Sequence, residues 1–107
     1  AHNQDELDIW LNELEKYENC PPEGIYDSNG LKSYGGLCFQ LPTFKQYVSK
    51  YIPESKDWED VDWLDNIMDT DLQKWVAKQM ILEKYDNYTH WKTSIKRGLR
   101  LPPKNKK

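Results

Sequence analysis

Large apolar side chains recur at Leu7, Trp10, Leu11, Leu14 and Tyr17, and the run ends four residues later against Pro21-Pro22. Spacings of i, i+3, i+4, i+7 and i+10 place all five on one face of a helix. Asp5 and Glu6 suit its positive N-terminal end, and the spacing predicts a helix over 5–18. Proline lacks an N–H and pushes the preceding residue out of α geometry, so the helix must stop before Pro21. Glu18 therefore stands in the last turn. The chain must then bury this face within 107 residues, a length for one domain. Fourteen aromatic residues, five of them Trp, supply large buried areas for that core and argue against disorder.

Residues 19–36 read as loop, with Pro21-Pro22, Gly24, Asp27-Ser28-Asn29-Gly30 and Gly35-Gly36. Asn29-Gly30 is a turn signal suited to the tip of a short hairpin. Pro42-Thr43 opens a second helix with Phe44, Tyr47, Val48 and Tyr51 on one face, and Pro53 ends it. An acidic helical stretch over 57–68 carries Trp58, Val61, Leu64 and Ile67 or Met68. Asp69 or Thr70 caps the next helix, about 70–85, whose stripe reads Leu72, Trp75, Val76, Gln79, Met80 and Glu83. Asn87 or Thr89 starts a last helix that Gly98 closes near residue 97. The expected fold is mostly α, about five helices with a long loop or minimal hairpin after the first. Its domain spans 1–98, and a frayed basic tail spans 99–107. Trp10, Trp75 and Phe44 are assigned to the core.

Charge is unevenly spread. Residues 1–86 hold all 18 carboxylates against eight Lys/Arg, a balance of −10, and residues 87–107 carry +7. A basic end can steer an anionic polymer toward one edge of an acidic body, or it can be a solvated tail. No nucleic-acid motif is present, and the acidic body would repel phosphate. No apolar run approaches the roughly 18 residues of a membrane span. The chain opens at Ala1 without Met or a leader pattern, which reads as a processed protein or an excised domain. No Cys/His cluster or calcium-loop spacing signals a metal, and no cofactor is expected. The acidic run from Asp57 to Asp65 reads as a solvated face. Cys20 and Cys38 either pair, closing a loop worth about 3 kcal/mol and suiting an extracytoplasmic setting, or are two reduced thiols.

The order of Glu18, then the Gly-rich loop, then Ser33-Tyr34-Gly35-Gly36-Leu37-Cys38-Phe39-Gln40-Leu41-Pro42-Thr43-Phe44 resembles the lysozyme-like superfamily. That superfamily includes lytic transglycosylases, goose-type lysozymes and resuscitation-promoting factors. The resemblance spans about residues 7–97, reaching the helix around Gln73, Ala77 and Met80 and the Trp91 beyond it. Two positions depart from the family pattern: its Ser-Gly after the Glu is here Asn19-Cys20, and its Gln after Gly-Leu is here Cys38. A Cys20–Cys38 link would do what that Gln does in relatives and fix the loop against the helix end.

The resemblance implies a glycosidase that cuts peptidoglycan or a related N-acetylglucosamine polymer outside the cytoplasm, as a monomer or as a domain of a larger protein. It makes Glu18 the general acid/base and Asp27 an auxiliary carboxylate, although Asp27 equally suits an Asx turn. Ser33, Tyr34, Gly35, Gly36, Gln40 and Trp91 become the sugar-binding set. Cleaving a glycosidic bond needs a proton on the leaving oxygen. A Glu supplies it near neutrality when burial and a helix C-terminus disfavour its charged form. Because a fold does not fix its chemistry, the alternative is a non-catalytic polysaccharide-binding or structural module on the same scaffold.

Overall fold

The computed structural model describes residues 6–21, 23–26 and 30–102. Helix α1 (Glu6–Glu18) buries Leu7, Trp10, Leu11 and Leu14, as the spacing requires. Tyr17, the last member of the stripe, is half exposed. The helix stops at Asn19, whose φ of 43° is a left-handed conformation that Asn tolerates. The Asn19 N–H is shared between the carbonyls of Glu15 (2.8 Å) and Gly36 (3.1 Å), so the helix end is joined to the loop that follows.

Three short strands form an antiparallel meander: β1 (Ile25–Tyr26), β2 (Lys32–Tyr34) and β3 (Phe39–Gln40). Ser33 lies opposite Ile25 on one side and Gln40 on the other. The expected hairpin is thus extended by a third strand, and its tip at 27–29 lies outside the described residues. Helix α2 (Leu41–Tyr51) leaves β3 directly, with Pro42 in its first turn and Phe44 and Val48 in the core. A 3₁₀ turn (Pro53–Asp57) leads to α3 (Asp60–Ile67), opened by a capping box between Glu59 and Asp62. Helix α4 (Thr70–Glu83) starts where the Asp69 carboxylate accepts from the Asp71 and Leu72 N–H groups at 3.0 and 3.3 Å. A 3₁₀ segment (Tyr85–Trp91) then runs into α5 (Lys92–Lys96). The five helices share one core of which Trp10, Phe44, Val48, Ile67, Val76 and Met80 are fully buried members. No helix among the described residues is long and apolar enough to cross a membrane.

Three expectations need correction. The buried face of α4 is Gln73, Val76, Ala77, Met80 and Ile81, so Trp75 is 41% exposed and lies outside the core. That face is itself an i, i+3, i+4, i+7, i+8 stripe, begun by a polar residue whose amide is satisfied internally. In α3 the core is reached by Trp63 and Ile67, while Val61 is 58% exposed. Finally, packing does not stop at Gly98. Leu99 is buried, Trp10 Nε1 donates to the Arg100 carbonyl at 2.7 Å, and the Tyr85 hydroxyl donates to the Pro102 carbonyl at 2.7 Å. Residues 99–102 are part of the domain because they supply partners for the buried Trp10 indole and the partly buried Tyr85 hydroxyl.

Candidate functional site

Where α1 ends, Glu18 faces a groove of about 260 Å³ that it lines together with Ser33, Cys38, Phe39, Gln40, Thr43, His90 and Trp91. Each wall has a separate structural cause. The meander presents Ser33 and Gln40, which are register partners. The first turn of α2 adds Thr43, and the 3₁₀ segment before α5 adds His90 and Trp91. Trp91 is a back wall: its Nε1 donates to the Leu37 carbonyl at 2.9 Å, and Phe39 packs edge-on against its ring with centroids 5.6 Å apart. With 4% of its surface exposed, it offers the groove little area for stacking.

A disulfide joins Cys20 to Cys38 across a Cα–Cα distance of 5.3 Å. It anchors the chain two residues beyond Glu18 to the groove wall, and Cys38 Sγ lies 3.4 Å from the Glu18 carbonyl oxygen. Cys38 has a φ of 54°, an unfavourable left-handed conformation for this residue type. Its N–H donates to the Gly35 carbonyl at 3.0 Å, closing the tight turn between β2 and β3.

The Glu18 carboxyl holds its proton to higher pH than an ordinary glutamate. Burial is the largest cause, and the Ser94 hydroxyl and the Arg97 guanidinium pull the other way. Ser94 Oγ donates to Glu18 Oε2. Partial desolvation lowers the proton affinity of His90, an exposed ring whose Nε2 lies 3.4 Å from the Tyr47 hydroxyl. The site therefore pairs a carboxyl biased toward its acid form with an imidazole biased toward its neutral form.

Of the residues singled out in the sequence, Glu18, Ser33, Gln40 and Trp91 meet at this groove. Tyr34, Gly35 and Gly36 do not line it. A Cβ on Gly35 would come within 2.5 Å of Gln73 Nε2, and one on Gly36 within 2.7 Å of Thr70 Cγ2 and 2.8 Å of Glu15 Cγ. These glycines let the loop lie against α4 and α1, a close approach that a side chain would block. The Tyr34 carbonyl accepts from Gln73 Nε2 at 2.7 Å, and the Lys32 ammonium lies 5.5 Å from the Tyr34 ring. Asp27 lies outside the described residues. Among those that are described, no second carboxylate lines the groove and no cluster of three His, Cys, Asp or Glu residues could hold a metal.

Sequence reasoning missed His90, Ser94 and Arg97. Their spacing, together with Trp91, is i, i+1, i+4 and i+7, which places all four on one side of a helical segment. The chain matches no family model, no curated protein and no solved structure.

Proposed function

We propose that this domain is a glycosidase acting on peptidoglycan, the β-linked amino-sugar polymer of cell walls, with Glu18 as its general acid/base. The observation that carries the reading is a half-buried carboxyl at a helix C-terminus, held back from ionising by burial and open to a groove. Support also comes from the resemblance of the Glu18-to-Phe44 pattern to lysozyme-like enzymes and from the way the disulfide stands where that pattern departs. Bonded Cys20 and Cys38 fit an oxidising, extracytoplasmic compartment.

In the proposed reaction, protonated Glu18 donates to the glycosidic oxygen as its bond to the anomeric carbon breaks. The leaving sugar departs as an alcohol, and positive charge develops on the ring left behind. The substrate's own 6-hydroxyl can then close on that carbon to give a 1,6-anhydro product, its proton passing to the Glu18 carboxylate. Alternatively the N-acetyl oxygen closes to a cyclic oxazolinium ion, which water opens by bonding to the anomeric carbon while Glu18 takes up the water's proton and leaves a free reducing end. The role of binding the N-acetyl group is assigned to Gln40 and Ser33, which line the groove from paired strands. Phe39 and Trp91 supply the apolar part of the groove wall that Glu18 shares.

The test is to incubate the protein with isolated peptidoglycan and identify the soluble fragments by mass spectrometry. Muropeptides with a free reducing end indicate hydrolysis, and those lighter by one water indicate 1,6-anhydro formation. Retention on the wall without any soluble fragment would replace the enzyme by a binding module.

A further inference from the structure

A buried hydroxyl on α5 meets the groove carboxyl from behind. Ser94 is fully buried, with no exposed surface, and Oγ donates to Glu18 Oε2 across 76 positions of sequence. Among the described residues it is the donor that reaches this carboxyl group. We propose that Ser94 is the positioning residue of the site: it holds Oε2 of Glu18 so that Oε1 is the oxygen presented to the groove. This rests on the glycosidase reading for its consequence in catalysis, but the contact itself can be tested without substrate.

The local structure makes Ser94 a fixed post. Its carbonyl accepts from the Leu99 and Arg97 N–H groups, both at 3.1 Å, so the turn closing α5 is built around this residue. Gly98, with a φ of 121°, lets the chain reverse there, and Leu99 then seals the core. Glu18 is held from the other side by the Asn19 backbone bonds and the Cys20–Cys38 disulfide. A carboxyl clamped through one oxygen loses rotamer freedom before substrate arrives, and proton transfer depends strongly on such placement. The groups facing it are Ser94 and Arg97 from the α5 side, His90 from the 3₁₀ segment, and the paired cysteines. A hydrogen bond donated to the ionised form also tempers the effect of burial, so the residue that fixes the carboxyl's direction partly offsets its raised proton affinity.

The experiment is a carbon-detected NMR titration of the Glu18 carboxyl in wild type, Ser94→Ala and Ser94→Thr, with peptidoglycan release measured on the same samples. In Ser94→Ala the Glu18 midpoint should move to higher pH and its side chain should lose order. Release should fall roughly 10- to 100-fold in kcat with little change in KM. Ser94→Thr, which keeps the hydroxyl, should restore both. In wild type the Ser94 hydroxyl proton should exchange slowly with solvent and shift as Glu18 titrates, a readout that requires no variant to fold. An unmoved Glu18 titration in folded Ser94→Ala, or a rapidly exchanging hydroxyl in wild type, would overturn the inference even if walls are cleaved. A moved titration in a protein that releases no fragments leaves the role of Ser94 standing and removes the glycosidase reading instead.

Discussion

The loop from Tyr34 to Gln40 has two sides, and each meets a buried polar side chain treated in an opposite way. At its rear, Gln73 of α4 is fully buried with its amide satisfied. Nε2 donates to the carbonyls of Tyr34 and Ile67, and Oε1 accepts from the Leu37 N–H at 3.0 Å. The Thr70 hydroxyl accepts from the Gly36 N–H beside it. At its front, Glu18 is half buried, is met by a single serine hydroxyl, and is left with a raised proton affinity. A neutral amide with matched donors and acceptors holds a fold together. An acid whose burial is only partly compensated carries a perturbed pKa, which is the mark of sites that do proton chemistry.

Gln73→Ala should have the largest effect on stability. It strips partners from three backbone groups in the interior and should cost about 4 kcal/mol in chemical denaturation, at the upper end for lost buried hydrogen bonds. Both sides of the loop would then loosen, which makes this variant the strongest way to blur the contrast. Reducing the Cys20–Cys38 bond should cost about 3 kcal/mol on the same assay. Its consequences should concentrate at the front, as faster amide exchange at Asn19 and Cys38 while the protection of α4 persists. Gly35→Ala combines a positive φ of 74° with a contact against Gln73, and should cost about 2 kcal/mol without changing the acidity of Glu18.

The smallest effect has a definite sign. The proton affinity of Glu18 is raised on folding, so its contribution to stability is complete below the ordinary glutamate range and is lost as pH rises through the raised folded value. Wild type should therefore lose stability relative to Glu18→Gln between mildly acidic and neutral pH. Thermal melts of the two proteins across that window should diverge by a small margin, with the glutamine variant the more stable at neutral pH.

Much of this was legible in the residues themselves. The α1 stripe, the proline stop, the Asp69 cap and the buried Phe44 and Trp10 follow directly from helical spacing and backbone chemistry. What resisted reading shares one cause, namely that polar partners chosen in three dimensions override hydrophobicity along the chain. Gln73 occupies a core position that its type does not announce, which turns α4 and leaves Trp75 at the surface. Trp10 and Tyr85 recruit the carbonyls of Arg100 and Pro102, drawing in a segment that composition marks as tail. Gly35 and Gly36 look like open backbone until α1 and α4 close over them. At the groove, Glu18, Ser33, Gln40 and Trp91 were accessible from their order in the chain, whereas Ser94 meets Glu18 only because α5 folds back onto the end of α1.

The proposed function requires the carboxyl at position 18 to do chemistry that an isosteric amide cannot. The direct measurement is the rate of soluble fragment release from isolated peptidoglycan by wild type and by Glu18→Gln, each first shown to be folded. Loss of an acid/base group should lower the rate by about 10²- to 10⁴-fold with wall binding retained. Equal rates from the two proteins would remove Glu18 as the acid/base.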